Sequence, residues 1–278
     1  MKILAKEKIT KDLTKFIIEA PLIAEKALPG QFIMLMVNKE GERIPLTIVD
    51  SDKENKCITI IFQEVGYTTK LLAGLTVGDS LYSLVGPLGK PTPIKNYGNI
   101  IVVGGGVGIA ELLPVVRALK QAGCSITSIL GGRTADLVIL KEQINEYSDA
   151  LYITTDDGSL GQKGIVTDPL KKLIEKKSNY NLVFCVGPLP MMRAVSNLTK
   201  QFDIYTLVCL NSIMIDGIGM CGGCRVTIGG ETKFTCVDGP DFDGHQVDFN
   251  ELMDRQKRFI PHENRSLCKL EEKIKNKN

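Results

Sequence analysis

A chain of 278 residues is long enough for two or three domains, and with 44% hydrophobic and 24% charged residues it has the balance of a globular protein. A formal net charge of +2 supplies no field that would gather nucleic acid. The opening residues lack the apolar core of a signal peptide, and runs such as 100–103 and 207–210 are far too short to cross a bilayer. The eight Cys follow no disulfide-scaffold pattern, so a reducing cytoplasm is the expected compartment.

Residues 1–97 alternate short β-rich runs (ILAKEKIT, TKFIIEA, FIMLMV, CITIIFQ, DSLYSLVGP) with turn signals at Pro29-Gly30, Gly41 and Gly86-Pro87. That rhythm predicts an antiparallel β-barrel. A short helix is expected over residues 67–73, with Gly74 just past its end. Three stretches here carry potential chemistry. Arg43-Ile44-Pro45-Leu46-Thr47 sets a guanidinium and a hydroxyl around a proline, a pattern that suits a phosphate and a nearby hydrogen bond, although an exposed Arg beside a kinked edge strand explains it as well. Gly66-Tyr67-Thr68-Thr69 turns into the helix with two hydroxyls, fit for a phosphate or simply for a helix cap. Gly86-Pro87-Leu88-Gly89 closes the region and reads first as a turn.

At residue 98 the pattern changes. Strands are predicted at 99–103, 125–130, 151–155 and 181–186, and helices at 110–121, 136–147, 168–176 and 190–201. This alternation implies a doubly wound parallel α/β sheet over residues 98–204. Gly104, Gly105, Gly106 and Gly108 lie between the first strand and its helix, where glycine lets the backbone approach a pyrophosphate and the helix N-terminus offers N–H donors. A Gly-rich turn alone is a weak signal, and its strand–helix setting strengthens it. Gly187-Pro188-Leu189-Pro190-Met191 follows the last strand, at the end of the sheet where open α/β folds bind ligands; a proline-opened helix is the plainer reading.

Residues 205–278 begin with a strand at 205–210, continue through a Gly- and Cys-rich segment, and end in a polar, helix-prone, Lys-rich tail over 249–278. Cys221 and Cys224 are separated by two residues, Cys236 follows after eleven more, and Asp216 stands where a further Cys would complete a C-x4-C-x2-C spacing. Three thiols gathered so closely imply a metal or cluster centre, with Asp216 as oxygen ligand or as a turn residue before Gly217. Cys57, Cys124, Cys185 and Cys209 sit in apolar, strand-like surroundings and read as small buried hydrophobes; Cys268 sits in the charged tail.

In this order the motifs resemble the ferredoxin–NADP reductase superfamily, with R-x-P-L-T for flavin, G-x-x-T for its pyrophosphate, and GGGxGIA and GPxPM for nicotinamide. With the Cys segment, the chain resembles the electron-transfer subunits of dihydroorotate dehydrogenase B. It resembles more closely the small subunits of NADH-dependent ferredoxin–NADP oxidoreductases, also described as sulfide dehydrogenase subunits. The former pattern has four Cys, so Asp216 is the distinguishing residue. The resemblance implies an FAD-binding barrel, an NAD(P)-binding α/β domain and a small [2Fe–2S] domain. It implies that Arg43, Pro45, Leu46, Thr47, Gly66, Thr68, Thr69, Gly86 and Gly89 serve FAD. Gly104, Gly105, Gly106, Gly108, Arg133, Asp157, Gly187 and Pro188 would serve NAD(H), and Asp216, Cys221, Cys224 and Cys236 the cluster. Arg133 suits a 2′-phosphate, whereas Asp156 and Asp157 disfavour one, so NAD(H) is expected. Val186 occupies the position before Gly-Pro where many such reductases carry Cys, and Glu111 stands where many carry Pro.

The implied activity is that of an oxidoreductase subunit in a heterodimer. It passes electrons between NAD(H), FAD and the cluster, to or from a larger flavin and iron–sulfur partner of glutamate-synthase-like type, and reaches ferredoxin through it. Partners that oxidise dihydroorotate or sulfide are alternatives. A structural zinc module is a third reading, since Cys-x2-Cys also suits Zn²⁺.

Overall fold

The structure, a computed structural model, describes residues 1–176 and 179–275. The N-terminal region contains β1 (Ile3–Thr10), β2 (Leu13–Glu19), α1 (Pro21–Lys26), β3 (Phe32–Met36), β4 (Arg43–Thr47), β5 (Asp50–Asp52), β6 (Cys57–Gln63), α2 (Tyr67–Ala73) and β7 (Ser83–Leu88). Its strands form two antiparallel sheets, β1-β2-β6-β5 and β4-β3-β7. The chain runs from β4 into β5, which joins one pair of edges, and a bridge between Lys2 and Ser80 ties the other pair, so the region has the barrel form expected of it. Phe16 and Phe62 meet edge to face inside, 5.3 Å between centroids, in a core with Ile18, Ile33, Leu35 and Ile60.

The next region contains β8 (Asn99–Gly105), α3 (Ile109–Gln121), β9 (Ser125–Gly132), α4 (Lys141–Glu146), β10 (Ala150–Thr155), β11 (Gln162–Lys163), α5 (Thr167–Lys176), β12 (Leu182–Val186), α6 (Leu189–Lys200) and β13 (Thr206–Cys209). The remaining elements are β14 (Arg225–Ile228), β15 (Glu231–Phe234), α7 (Thr235–Asp238), β16 (Asp241–Asp243), α8 (Phe249–Gln256) and α9 (Ile260–Lys275). Seven strands form one sheet in the order β11-β10-β9-β8-β12-β13-β16, parallel except for β16, which runs antiparallel to β13. β8 is covered on both faces. Ile100 and Val102 point into the core under α3, Ile101 and Val103 into the core with α5 and α6, and all four are fully buried. Burial on both faces explains why this strand reads as an unbroken apolar run. Each such side chain contributes about 1.5–3 kcal/mol.

Two elements differ from the sequence expectation. The helix expected at 136–147 is a short 3-10 turn at Ala135–Leu137 followed by α4. Between them Val138 and Ile139 are both drawn into the core, and Leu140 takes φ 53°, a left-handed conformation that interrupts a continuous helix. The strand expected at 99–103 continues through Gly104 and Gly105, which pair with Leu130 and Gly131. The polar stretch at 249–278 forms α8 and α9, with Asp248 capping α8 through the Glu251 amide at 2.9 Å; residues 276–278 lie outside the described residues.

Candidate functional site

The strand order reverses at β8. From there the chain builds outward through β9 and β10, then returns to place β12 on the other side of β8. The loops after β8 and β12 therefore part at this point, which is where open α/β sheets bind ligands. A cleft of about 820 Å³ lies there, lined by Gly105, Gly106, Gly108, Arg133, Gly187 and Pro188 among others. The glycines have different physical roles. A Cβ on Gly108 would stand 2.9 Å from the Gly187 Cα, so the two loops touch backbone to backbone. Gly106 has φ 57° and open space where a Cβ would be, so it is the left-handed backbone conformation, just before α3, that calls for glycine there. Gly104 does not line the cleft; a Cβ there would meet Leu112 at 2.5 Å, and its absence lets α3 pack onto the strand. Asp156 lines the cleft, whereas the Asp157 carboxylate turns back to accept from the Ser159 amide and hydroxyl at 2.9 and 2.6 Å.

A second pocket, of about 270 Å³, opens between the barrel and the α/β layer. Pro45, Leu46, Thr47 and Thr69 line it. Gly66 caps α2 by donating its amide to the Thr69 hydroxyl at 3.0 Å, and the buried Thr68 hydroxyl reaches Glu42 at 3.2 Å. Arg43 is exposed at the start of β4 and is not among the lining residues. Gly86 and Gly89 stand behind the wall. A Cβ on either would meet Ile33 or Phe32 at 2.8 Å, so they permit close packing of β7 on β3.

The cysteine loop closes against the same barrel. Cys224 and Cys236 are buried with their thiols 3.2 Å apart, in a cluster with Phe32, Met34 and Met214. Burial first, and the Cys224 thiol second, hold the Cys236 thiol well above its ordinary range. Cys221 is exposed and accepts the Gly223 amide at 3.3 Å. The Asp216 carboxylate accepts the amides of Ile218 and Cys221 at 2.9 and 2.6 Å. Those contacts, the Ile218 amide foremost, keep it ionised to a pH below the ordinary carboxylate range. Among the described residues no three His, Cys, Asp or Glu groups close on one point as a single metal ion needs. A two-iron cluster divides its protein ligands between two irons. The facing Cys224–Cys236 pair, with Cys221 on the same loop, fits that division, and the thiols must lose their protons to bind.

The residues joining these sites escaped sequence reasoning. Gln63, Val65, Val107, Glu111, Cys209 and Asn211 line both the cleft and the pocket, so the two spaces open into each other. Glu111, at the start of α3, is enclosed by protein except toward the cleft. Burial pushes its carboxyl up to about 7, and the Thr47 hydroxyl is its main stabilising partner. The Cys209 thiol donates to Glu111 at 3.6 Å and also contacts Asp241, whose carboxyl burial raises to about 6. Cys209, expected to be a plain hydrophobe, is thus a cleft-wall residue. Cys185 is fully buried on the opposite face of β12 from the cleft wall, in the core with α6, and is a packing residue as expected.

Residues 211–248 match the iron–sulfur cluster binding domain of dihydroorotate dehydrogenase B, and residues 102–197 match the oxidoreductase NAD-binding domain. The chain is 45% identical to a dihydroorotate dehydrogenase B (NAD(+)) electron transfer subunit homolog of Thermotoga maritima, over 94% of this chain and 92% of that one. It is 35% identical to the probable electron transfer subunit of Methanopyrus kandleri, over 81% and 82%. Among solved structures it superposes on a chain of the NADH-dependent reduced ferredoxin–NADP oxidoreductase with a TM-score of 0.91 and 43% identity, covering 97% of each. The matched iron–sulfur and NAD-binding domains, with the reductase fold, carry FAD, NAD(H) and an iron–sulfur cluster as cofactors, and no described helix is long and apolar enough to cross a membrane. The chain therefore belongs to the family of dihydroorotate dehydrogenase B electron-transfer subunits and is an electron-transfer subunit of an oxidoreductase.

Proposed function

We propose that this subunit takes electrons from NADH and delivers them singly, through FAD and the [2Fe–2S] cluster, to a larger partner in a cytoplasmic ferredoxin:NADP+ oxidoreductase heterodimer. The observation that carries the reading is the position of the second pocket between the other two sites. On one side it shares Val107, Glu111 and Cys209 with the nucleotide cleft. On the other, its wall residues Phe32 and Met214 pack directly against Cys224 and Cys236. A flavin in that pocket stands between a hydride donor and an iron centre.

Bound FAD supplies the conversion of a two-electron hydride into single electrons. The chain's own residues bind and orient. Arg43, Gly66, Thr68 and Thr69 hold the FAD phosphates, and Pro45, Leu46 and Thr47 line its ring system, backed by Gly86 and Gly89. Gly105, Gly106 and Gly108 receive the NAD(H) phosphates beside α3, with Gly104 permitting the approach of the helix. Arg133 and Asp156 border the ribose, with Asp157 held in the turn behind them by Ser159, and Gly187 and Pro188 flank the nicotinamide. Cys221, Cys224, Cys236 and Asp216 ligate the cluster. Residues 1–97, 98–204 and 205–278 are then the flavin, nucleotide and cluster domains, the last lending β13 and β16 to the nucleotide sheet.

The partner is a larger flavin and iron–sulfur subunit of glutamate-synthase-like type, through which ferredoxin is reached. Support for a docked partner comes from exposed apolar side chains on the cluster loop, Ile215, Ile218 and Met220, the last 83% exposed. A dihydroorotate-oxidising partner is the second reading, favoured by the names of the relatives; Asp216 in place of a fourth Cys favours the first.

Anaerobic purification from the native host, with identification of the co-purifying subunit, tests the partner. Reconstitution of the isolated chain tests the rest. Flavin and iron–sulfur absorption should appear, NADH should bleach the flavin, and a reduced-cluster electron paramagnetic resonance signal should follow. A colourless, iron-free product after full reconstitution ends the proposal.

A further inference from the structure

Electron accounting leaves one particle without a carrier. A hydride brings two electrons and one proton to the flavin pocket, and an iron–sulfur cluster accepts electrons only. Each NADH oxidised therefore leaves one proton in a pocket whose wall is mostly apolar, with Phe32, Pro45, Leu46, Val49 and Ile61. Among the residues lining that pocket, two carry titratable side chains, Glu111 and Cys209.

We propose that Glu111 is the proton acceptor of the flavin pocket: its carboxylate takes the proton left behind as electrons depart toward the cluster, and releases it to water through the nucleotide cleft. The assignment rests on the electron path proposed above. It stands on the placement of this one side chain. Glu111 projects from the first turn of α3 into the space common to the cleft and the pocket. The hydroxyl of Thr47, a pocket-lining residue, hydrogen-bonds to it from β4, and the Cys209 thiol reaches it from the end of β13 at 3.6 Å. Its open side faces the larger cleft, which is the route to solvent.

The groups facing Glu111 are few. β4 contributes Thr47, β13 contributes Cys209, and β16 contributes Asp241 behind Cys209. On α3 itself Arg117 is turned away and paired with Asp50 at 3.0 Å. No cation is among the groups that shift Glu111. Burial and the second carboxyl therefore both favour its protonated form, and its affinity for a proton falls near neutral pH, where both uptake and release are possible. Asp241 is held by Thr92 at 2.5 Å through one oxygen, and its other oxygen is buried without a partner. It serves as the fixed charge that keeps the Glu111 proton exchangeable.

The test is the time-resolved infrared difference spectrum of the reconstituted holoprotein, followed as electrons leave the NADH-reduced flavin. A carboxylic-acid carbonyl band, shifted in heavy water, is expected in the native protein. It should be missing in Glu111→Gln and restored, displaced, in Glu111→Asp. In stopped-flow, the native rate of cluster reduction should rise with pH through neutrality as Glu111 ionises, and the Glu111→Gln profile should be flat and roughly 10²-fold lower at its top. A flavin bleached by NADH with the same carboxyl band and pH profile in native and Glu111→Gln proteins overturns the assignment of Glu111 alone. A flavin that NADH leaves oxidised overturns the electron path, and the proton acceptor with it.

Discussion

The Cys224 thiol stands 3.2 Å from that of Cys236, and both side chains are almost wholly withdrawn from solvent. The two come together because β14 and β15 form a hairpin whose ends carry them. Cys224 precedes β14, Cys236 lies in the first turn of α7 after β15, and the buried Thr235 hydroxyl donates to the Cys224 carbonyl at 3.0 Å to fix the closure. The hairpin rests on Met34 and Phe32 of the barrel, so the thiol pair is held by the same strand that backs the second pocket.

Replacing Cys236 by Ser keeps the shape and removes a thiolate. Iron content and the visible bands of the cluster should fall by more than half in Cys236→Ser, with the flavin retained, because that pocket touches none of the three cysteines. Loss of the bound cluster should also lower the unfolding midpoint, since a ligand that binds only the folded state stabilises it by mass action. Iron and absorbance equal to the native protein would remove Cys236 from the ligand set.

Substitution separates the loop-anchor role of Asp216 from the ligand role proposed for it. As a loop anchor it accepts two amides, and Asp216→Ala should cost about 1 kcal/mol for an exposed carboxylate of this kind. As the proposed oxygen ligand it would set the electronic character of one iron, and Asp216→Cys should then keep a cluster while moving its potential and its absorption spectrum. An unchanged spectrum in Asp216→Cys, with iron intact, assigns the residue to the turn alone.

Gly108 and Gly187 hold the nucleotide cleft at one backbone-to-backbone contact. An alanine methyl at 108 meets backbone, 2.9 Å from the Gly187 Cα, so no rotamer can relieve it and the loops must part. Gly108→Ala should lose about 1–3 kcal/mol in urea unfolding and raise the KM for NADH at least tenfold, on the order of the same free energy. An unfolding midpoint and KM equal to those of the native protein would contradict the contact.

The parts of the site readable from sequence were those written in adjacent residues. Gly104 to Gly108, Gly187-Pro188 and the Cys-x2-Cys run each carry their geometry in local spacing, and strand, turn and helix follow in the expected order around the glycines, with the strand two residues longer than expected. The junction of the sites is not local. Cys209 reads as a buried hydrophobe in TLVCL because strand periodicity reports burial only; its partner Glu111 lies 98 residues away. β16 is three residues long, too short to show alternation, yet it brings Asp241 beside Cys209 and closes the edge of the sheet. The pair Asp156-Asp157 follows β10 at the cleft, but which carboxylate turns inward depends on Ser159, whose amide and hydroxyl hold Asp157 in the turn. Val138 and Ile139 mimic a helical stripe because the core they enter is not visible in their own segment.

The buried carboxyl at Glu111 has a consequence for stability that needs no catalytic assay. Its proton affinity in the folded protein is raised from 4.5 to about 7, chiefly by burial. Between those values the folded chain holds a proton that the unfolded chain releases, so this group's contribution is fully present below about pH 4.5 and is lost as the pH rises through 7. The free energy involved is roughly 3 kcal/mol. Urea unfolding of flavin-free protein should therefore show stability declining from pH 5 to pH 8, and Glu111→Gln should flatten most of that decline and be the more stable protein at pH 8. Asp241 is raised in the same direction, to about 6, and Asp241→Asn should remove the part of the slope below pH 6 that Glu111→Gln leaves. Parallel stability curves for native and Glu111→Gln proteins across this range would mean that the Glu111 carboxyl is ionised in the folded state, and that the wall it shares with Cys209 and Thr47 is wetter than the packing around it implies.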